Sequence, residues 1–213
     1  MKKIFLTLFD LIFPRRPNDA AIFGISPEVF YKKTPRWGDG DIYPNMRAIF
    51  HYQDPTSKAM IKELKSSKSL HAAKIAAFAL ANLVERTPDM SDSVIVPMPI
   101  SKQRRKKRGY NQCELLAESF IREIESRGVK GSFEIRTDIL EKTVDTAKLA
   151  LKNRAARLNA NKGVFNARCP LSSCKKRIIV IDDVITTGST MRSAMDALRD
   201  AGAKWVTGIG IAH

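Results

Sequence analysis

The run Arg177-Ile-Ile-Val-Ile181 constrains the fold of this chain more than any other stretch. An uninterrupted β-branched run of this kind is a strand buried on both faces. It continues not into more apolar sequence but into Asp182-Asp183-Val-Ile-Thr186-Thr187-Gly188-Ser189-Thr190. Met191, Ala194, Met195 and Leu198 then recur at helical spacing, closed by Gly202. A buried strand thus delivers two adjacent carboxylates, and then a hydroxyl-rich turn, to the N-terminus of a helix.

The same alternation extends upstream. Val94-Ile-Val96 is a short strand stopped by Pro97-Met98-Pro99, and residues 111–126 carry a helical apolar stripe. Phe133-Glu-Ile135 reads as a strand, residues 138–162 are basic and ambiguous, and Trp205–Ile211 is the last strand. Earlier, residues 47–52 read as a strand, with helices at 55–66 and 69–86. Strands separated by helices give an α/β fold with a mostly parallel twisted sheet flanked by helices. Residues 14–45, rich in Pro, Gly and Asp, read as an irregular arm. The expected division is an N-terminal helix and arm over 1–45 and one α/β domain over 46–213.

Composition bounds the rest. At 213 residues and 44% hydrophobic content the chain can bury a real core, which excludes disordered and collagen-like classes. Its net charge of +15 asks for an anionic partner. Residues 91–213 hold 23 of the 37 basic residues against 13 of the 22 acidic ones, so most of the excess lies with the acid-pair segment. Cys113, Cys169 and Cys174, with His51, His71 and His213, fall into no ligand spacing, so neither a disulfide framework nor a structural zinc is expected. The apolar run after Met1-Lys-Lys3 is interrupted at Asp10 and followed by Pro14-Arg-Arg-Pro17. That is neither a signal peptide nor a membrane span, and a cytoplasmic location is expected.

The segment 178–190 carries chemistry. A helix N-terminus presents unpaired N–H groups and the positive end of the dipole, which suits a phosphate. Gly188 allows close backbone approach, while Thr186, Thr187, Ser189 and Thr190 add hydroxyls. Paired carboxylates would repel a polyphosphate but suit a ribose diol or a magnesium ion. The expected ligand is a phosphorylated ribose. Neither a Walker A loop nor a dinucleotide fingerprint is present, and a mere helix cap at Asp183 or Thr187 would leave the rest of the series unexplained.

On these residues the segment resembles the 5-phosphoribosyl-1-pyrophosphate (PRPP) motif of type I phosphoribosyltransferases. Val96-Pro97-Met98-Pro99, Arg105-x-x-Arg108-Gly109-Tyr110-Asn111-Gln112 and Glu114-Leu-Leu-Ala117 narrow this to the ComF family. Tyr52, Ile61, Lys65 and the Arg154-x-x-Arg157 stretch through Phe165 also fit its pattern. The resemblance implies a type I phosphoribosyltransferase-like fold with a small N-terminal hood and a role in DNA uptake during natural transformation. It also implies that Asp182 and Asp183 hold the ribose hydroxyls and that residues 186–190 hold the 5-phosphate. Magnesium would come with the pyrophosphate, and Lys148 or Arg154 would belong to a basic catalytic loop. Two departures stand out. Many family members begin with a four-cysteine zinc module, and no Cys precedes Cys113 here; the usual Gln is missing from the loop at Thr146–Ala150.

Lys102-Gln-Arg104-Arg105-Lys106-Lys107-Arg108 supports three readings. It is a solvated basic loop, or it faces the cleft with Pro97, Met98, Pro99, Arg105 and Arg108 on the pyrophosphate side. The third reading is a nucleic-acid patch, in which Arg104, Arg105, Lys106 and Arg108 track phosphates and Tyr110 either stacks on a base or merely packs. Three functions follow. The first is a ComF-type PRPP-binding phosphoribosyltransferase (a glycosyltransferase) acting in competence. The second is a non-catalytic module that senses PRPP or binds single-stranded nucleic acid. The third is a nucleotide-salvage phosphoribosyltransferase.

Overall fold

The computed structural model describes residue 22 and residues 24–38, 40–143 and 164–213. Its centre is a five-stranded, wholly parallel sheet of order β1-β7-β6-β2-β3. The strands are β1 (Met46–Phe50), β2 (Asp92–Pro97), β3 (Ser132–Ile135), β6 (Arg177–Val184) and β7 (Val206–Ala212). A separate antiparallel pair joins β4 (Leu140–Lys142) to β5 (Phe165–Ala167).

The helices are α1 (Pro27–Lys33), α2 (Pro55–Ser66), α3 (Leu70–Glu85), α4 (Lys102–Arg108), α5 (Gln112–Arg127) and α6 (Ser189–Asp200). Their starts are written locally. Asp54 caps α2 by accepting from the N–H groups of Thr56 and Ser57, both at 2.9 Å, with Pro55 at the first position. Ser69 caps α3, and Gly128, with φ 62°, closes α5.

Strand alternation divides the core into two layers. Ile179 and Ile181 of β6 pack with Ile95, Ile209 and Ile211 against α2, α3 and α5. Ile178 and Val180 face the other way, with Val94 and Val96, onto Met191, Ala194, Met195 and Leu198 of α6. The β4–β5 pair covers that second layer through Leu140 and Phe165. Both faces of β6 are therefore buried, as its apolar run requires.

Connectivity then fixes where a ligand can sit. From β2 the chain passes through α5 to β3, toward one edge; from β6 it passes through α6 to β7, toward the other. The C-terminal ends of β2 and β6 are adjacent, so the loops leaving them diverge and open a crevice at this switch point.

Several details differ from the sequence expectations. The arm region contains a capped helix, α1, whose Phe30 is buried against the core. Segment 102–108 is helical rather than a loop, because Ser101 caps it and Gly109 at φ 78° ends it. β6 runs on through both acids to Val184, three residues beyond the apolar run, because β7 pairs with it that far. No described helix is long and apolar enough to cross a membrane.

Candidate functional site

Because successive side chains of a strand point to opposite faces, Asp182 and Asp183 must diverge. Asp183 shares the face of Ile179 and Ile181, toward α2. There Lys65 Nζ lies 3.2 Å from its Oδ1, and its side chain is only 6% exposed. Asp182 shares the opposite face, where its Oδ1 accepts from the Asp183 N–H at 2.8 Å and lies 3.5 Å from Cys113 Sγ. Burial pushes the Asp182 carboxyl up to about 7, and the charge of Asp183 adds to the shift; the Asp183 N–H, Cys113 and Lys65 oppose it. Burial, and then the charges of Asp182 and Asp183, push the Cys113 thiol well above its ordinary value, so Cys113 is a buried neutral partner and not a nucleophile.

Asp183 Oδ2 is buried with no hydrogen-bond partner among the described residues. Leaving a buried carboxylate oxygen unsatisfied costs stability, and a ligand hydroxyl would satisfy it.

Beyond β6 the chain turns through Thr186–Thr190 into α6. Gly188, at φ 73° and ψ −4°, is the N-cap residue and has no side chain to cap α6; at the helix start the Ser189 N–H reaches Thr187 Oγ1 at a long 3.5 Å. A Cβ on Gly188 would lie 3.0 Å from the Tyr43 ring and 3.4 Å from Met46 Sδ. The turn is therefore seated on the arm, and Tyr43 also donates its hydroxyl proton to the Thr186 carbonyl at 3.1 Å. Asp182, Thr186, Gly188, Ser189 and Thr190 border a small depression of about 50 Å³ at the helix start. Thr187 is exposed and hydrogen-bonds sideways with Ser189 at 3.1 Å, outside that lining.

This depression opens beside a cleft of about 790 Å³ lined by Asp182, Asp183, Thr186 and Thr190 on one side. Met98, Pro99, Arg104, Lys107, Arg108 and Gln112 line the other, and Tyr52, Lys65, Ser66 and Lys142 complete the lining. Residues 104, 107 and 108 share one face of α4, which turns three cations inward. Arg108 donates to Gln112 Oε1 at 2.5 Å. Asn111 joins the two loops: its Oδ1 accepts from the Cys113 N–H and its Nδ2 donates to the Met98 carbonyl, both at 3.0 Å.

The expected residues separate accordingly. The structure brings together Asp182, Asp183, Thr186, Gly188, Ser189, Thr190, Met98, Pro99, Arg104 and Arg108. Arg105 instead pairs with Glu114, Lys106 is exposed outside the lining, and Pro97 is buried in β2 against Ile181. Tyr110 packs: its hydroxyl donates to the Leu64 carbonyl at 2.8 Å and accepts from the Lys68 N–H at 3.0 Å. Lys148, Arg154 and Arg157 lie outside the described residues.

Sequence reasoning on residue chemistry gave no role to Cys113 or Tyr43 and did not read the contact between Lys65 and Asp183. For Lys65 a signal exists, a cation set beside the buried stripe Met60, Ile61 and Leu64.

The phosphoribosyl transferase domain model matches residues 119–213. Competence protein ComFC of Streptococcus pneumoniae is 30% identical over 168 residues, covering 79% of this chain and 68% of that protein. The chain belongs to the ComF family of phosphoribosyltransferase-like proteins. Competence protein F of Haemophilus influenzae is 27% identical over 187 residues, 85% of this chain and 76% of that protein. Bifunctional protein PyrR of Bacillus cereus, at 33% over 120 residues, covers 56% of this chain and 57% of its own length. In this ComF-family chain the family-model match contains the acid pair and the turn at residues 186–190, while α4 and its three inward cations lie before it.

Proposed function

We propose that this cleft binds PRPP and that the protein acts in competence, the process named in the two competence proteins described above. The observation that carries the reading is Asp183 Oδ2, buried without a partner among the described residues, near a helix N-terminus that its glycine N-cap leaves without a side-chain cap and across from three cations. The ribose hydroxyls would donate to Asp182 and Asp183. The 5-phosphate would accept from the N–H groups of the first turn of α6 and from the hydroxyls of Thr186, Ser189 and Thr190. Arg104, Lys107 and Arg108 face the side where the pyrophosphate would lie.

In a transfer reaction the C1–O bond breaks, pyrophosphate leaves with the bonding pair, and a nucleophile bonds to C1 with its own electron pair. The residues present supply positioning and charge stabilisation. Among the described residues no group of three or more His, Cys, Asp or Glu could hold a metal, and Lys65 already occupies one carboxylate oxygen. The acid pair therefore fits hydroxyls better than a bare ion, and magnesium would arrive on the pyrophosphate, whose charge it would neutralise. The free cysteines suit a reduced cytoplasmic setting.

Calorimetric titration of PRPP into wild type and an Asp182→Asn/Asp183→Asn variant tests the site. Loss of two hydrogen bonds to charged groups weakens binding by roughly 100-fold or more. Unchanged affinity overturns the assignment. Pyrophosphate release with PRPP alone, with single-stranded DNA and with a panel of bases then separates the competence reading from silent sensing and from nucleotide salvage.

A further inference from the structure

A second groove, of about 440 Å³, lies at the opposite edge of the sheet. β6, β7 and β1 begin there, at Arg177, Val206 and Met46, and α6 runs past it. Arg177 to Asp182 is five residues of extended strand, so the two sites stand about 17 Å apart along β6.

The groove is strongly basic. Arg177, Arg192, Arg199 and Lys204 line it against one lining carboxylate, Asp196, and the Asp89 carboxylate also stands 3.8 Å from Arg177. Two of these cations are braced. Arg177 donates to the Asp89 carbonyl at 3.0 Å and to Thr207 Oγ1 at 3.1 Å, while Arg199 donates to Asp196 at 3.1 Å and to the Val206 carbonyl at 3.3 Å. The side chains of Arg192 and Lys204 have no partner among the described residues. Trp205 also lines the groove, with 48% of its surface exposed. An indole half exposed in the same groove as two cations without partners suits a ligand that has both an aromatic face and phosphates.

We propose that this groove binds single-stranded nucleic acid, with a base stacked on Trp205 and phosphates on Arg192, Lys204 and the braced arginines. A stacking platform beside a line of cations is how a single strand is held without sequence preference, whereas a duplex hides its base faces. A membrane surface would need a wider apolar patch, and the other exposed large apolar residues among those described, Val29 and Leu70, do not line the groove. The inference rests on the competence reading only for choosing DNA over RNA.

The test is fluorescence anisotropy of a labelled thymidine oligonucleotide, about 20 nucleotides long, against the full chain at low and moderate salt. Trp205→Ala weakens binding about tenfold, and Arg192→Ala with Lys204→Ala lowers the salt slope by about 1.4. Both variants keep the wild-type melting temperature and PRPP affinity, and Asp182→Asn/Asp183→Asn keeps oligonucleotide binding, so this groove and the PRPP site succeed or fail separately. The proposal is overturned by absence of binding at low salt or by unchanged affinity in both groove variants. It is also overturned if only neutralising Arg104, Lys107 and Arg108 abolishes binding, or if thymidine monophosphate binds as tightly as the oligonucleotide. Two other occupants would displace it: anionic phospholipid vesicles bound through Trp205 while the oligonucleotide is not, or a dimer that Trp205→Ala dissolves.

Discussion

Asp182 is a residue on which folding and ligand binding make opposite demands. Burial, reinforced by the charge of Asp183, raises its carboxyl from an ordinary 3.8 to about 7. Between those values the folded state holds a proton that the unfolded state has released, so stability falls as pH rises through the window. Replacing Asp182 by Asn removes the charge while its side-chain oxygen can still accept from the Asp183 N–H. Thermal melts from about pH 4 to pH 8 should show a flatter dependence for Asp182→Asn. At the alkaline end the variant should be more stable by on the order of 1 kcal/mol or more, roughly 2–4 °C. A slope parallel to wild type would show that Asp182 is not held protonated. The proposed ribose-binding role runs the other way, because a protonated carboxyl is a poorer acceptor, so PRPP affinity of the wild type should drop on acidification through about pH 7. The acids themselves are legible in the sequence, since two carboxylates at the end of a buried run have few other uses. Their partners are not: Cys113 meets Asp182 across 69 positions and Tyr43 meets Thr186 across 143, and no local pattern encodes such contacts.

At the scale of elements, one strand glycine sets how closely α6 can lie on the sheet and so where its N-terminus points. A Cβ on Gly208 of β7 would come within 2.6 Å of Met191 Cγ and 2.8 Å of its Sδ. Gly208→Ala should therefore push α6 outward or force Met191 off its rotamer, at a cost of about 1–3 kcal/mol. Since Met191 is in the first turn of α6, PRPP affinity should fall as well, read by calorimetry on protein still folded by circular dichroism. Unaltered stability and affinity would mean that α6 is not seated by this contact. Elements with local signals match their sequence reading closely. The helices expected at 55–66 and 69–86 occur at Pro55–Ser66 and Leu70–Glu85, because Asp54-Pro55 and Ser69 write their starts. The basic run at 102–108 lacks an apolar stripe and buries no residue, so its helicity comes from Ser101 and Gly109 at its ends and is invisible to periodicity.

At the scale of the molecule, the charge of +15 is partitioned by topology rather than spread evenly. The loop after β2 places α4 at the C-terminal edge of the sheet, while Arg177, Arg192, Arg199 and Lys204 occupy the groove where the strands begin. An anionic ligand at one edge and another at the other thus meet different cations. α4 offers a clean test, because it buries no side chain and its removal from the charge balance should leave the core intact. Arg104, Lys107 and Arg108 replaced together by Gln should keep the melting temperature within about 2 °C of wild type, as exposed substitutions do. PRPP affinity should fall by at least roughly tenfold at low salt, and its dependence on ionic strength should flatten, because the opposing charge that salt screens has gone. Oligonucleotide affinity at the far groove should change little, since one Debye length at physiological salt is about 8 Å and the sites stand about 17 Å apart. Equal losses for both ligands would mean that a single continuous surface serves them, and the two-edge arrangement would then be wrong.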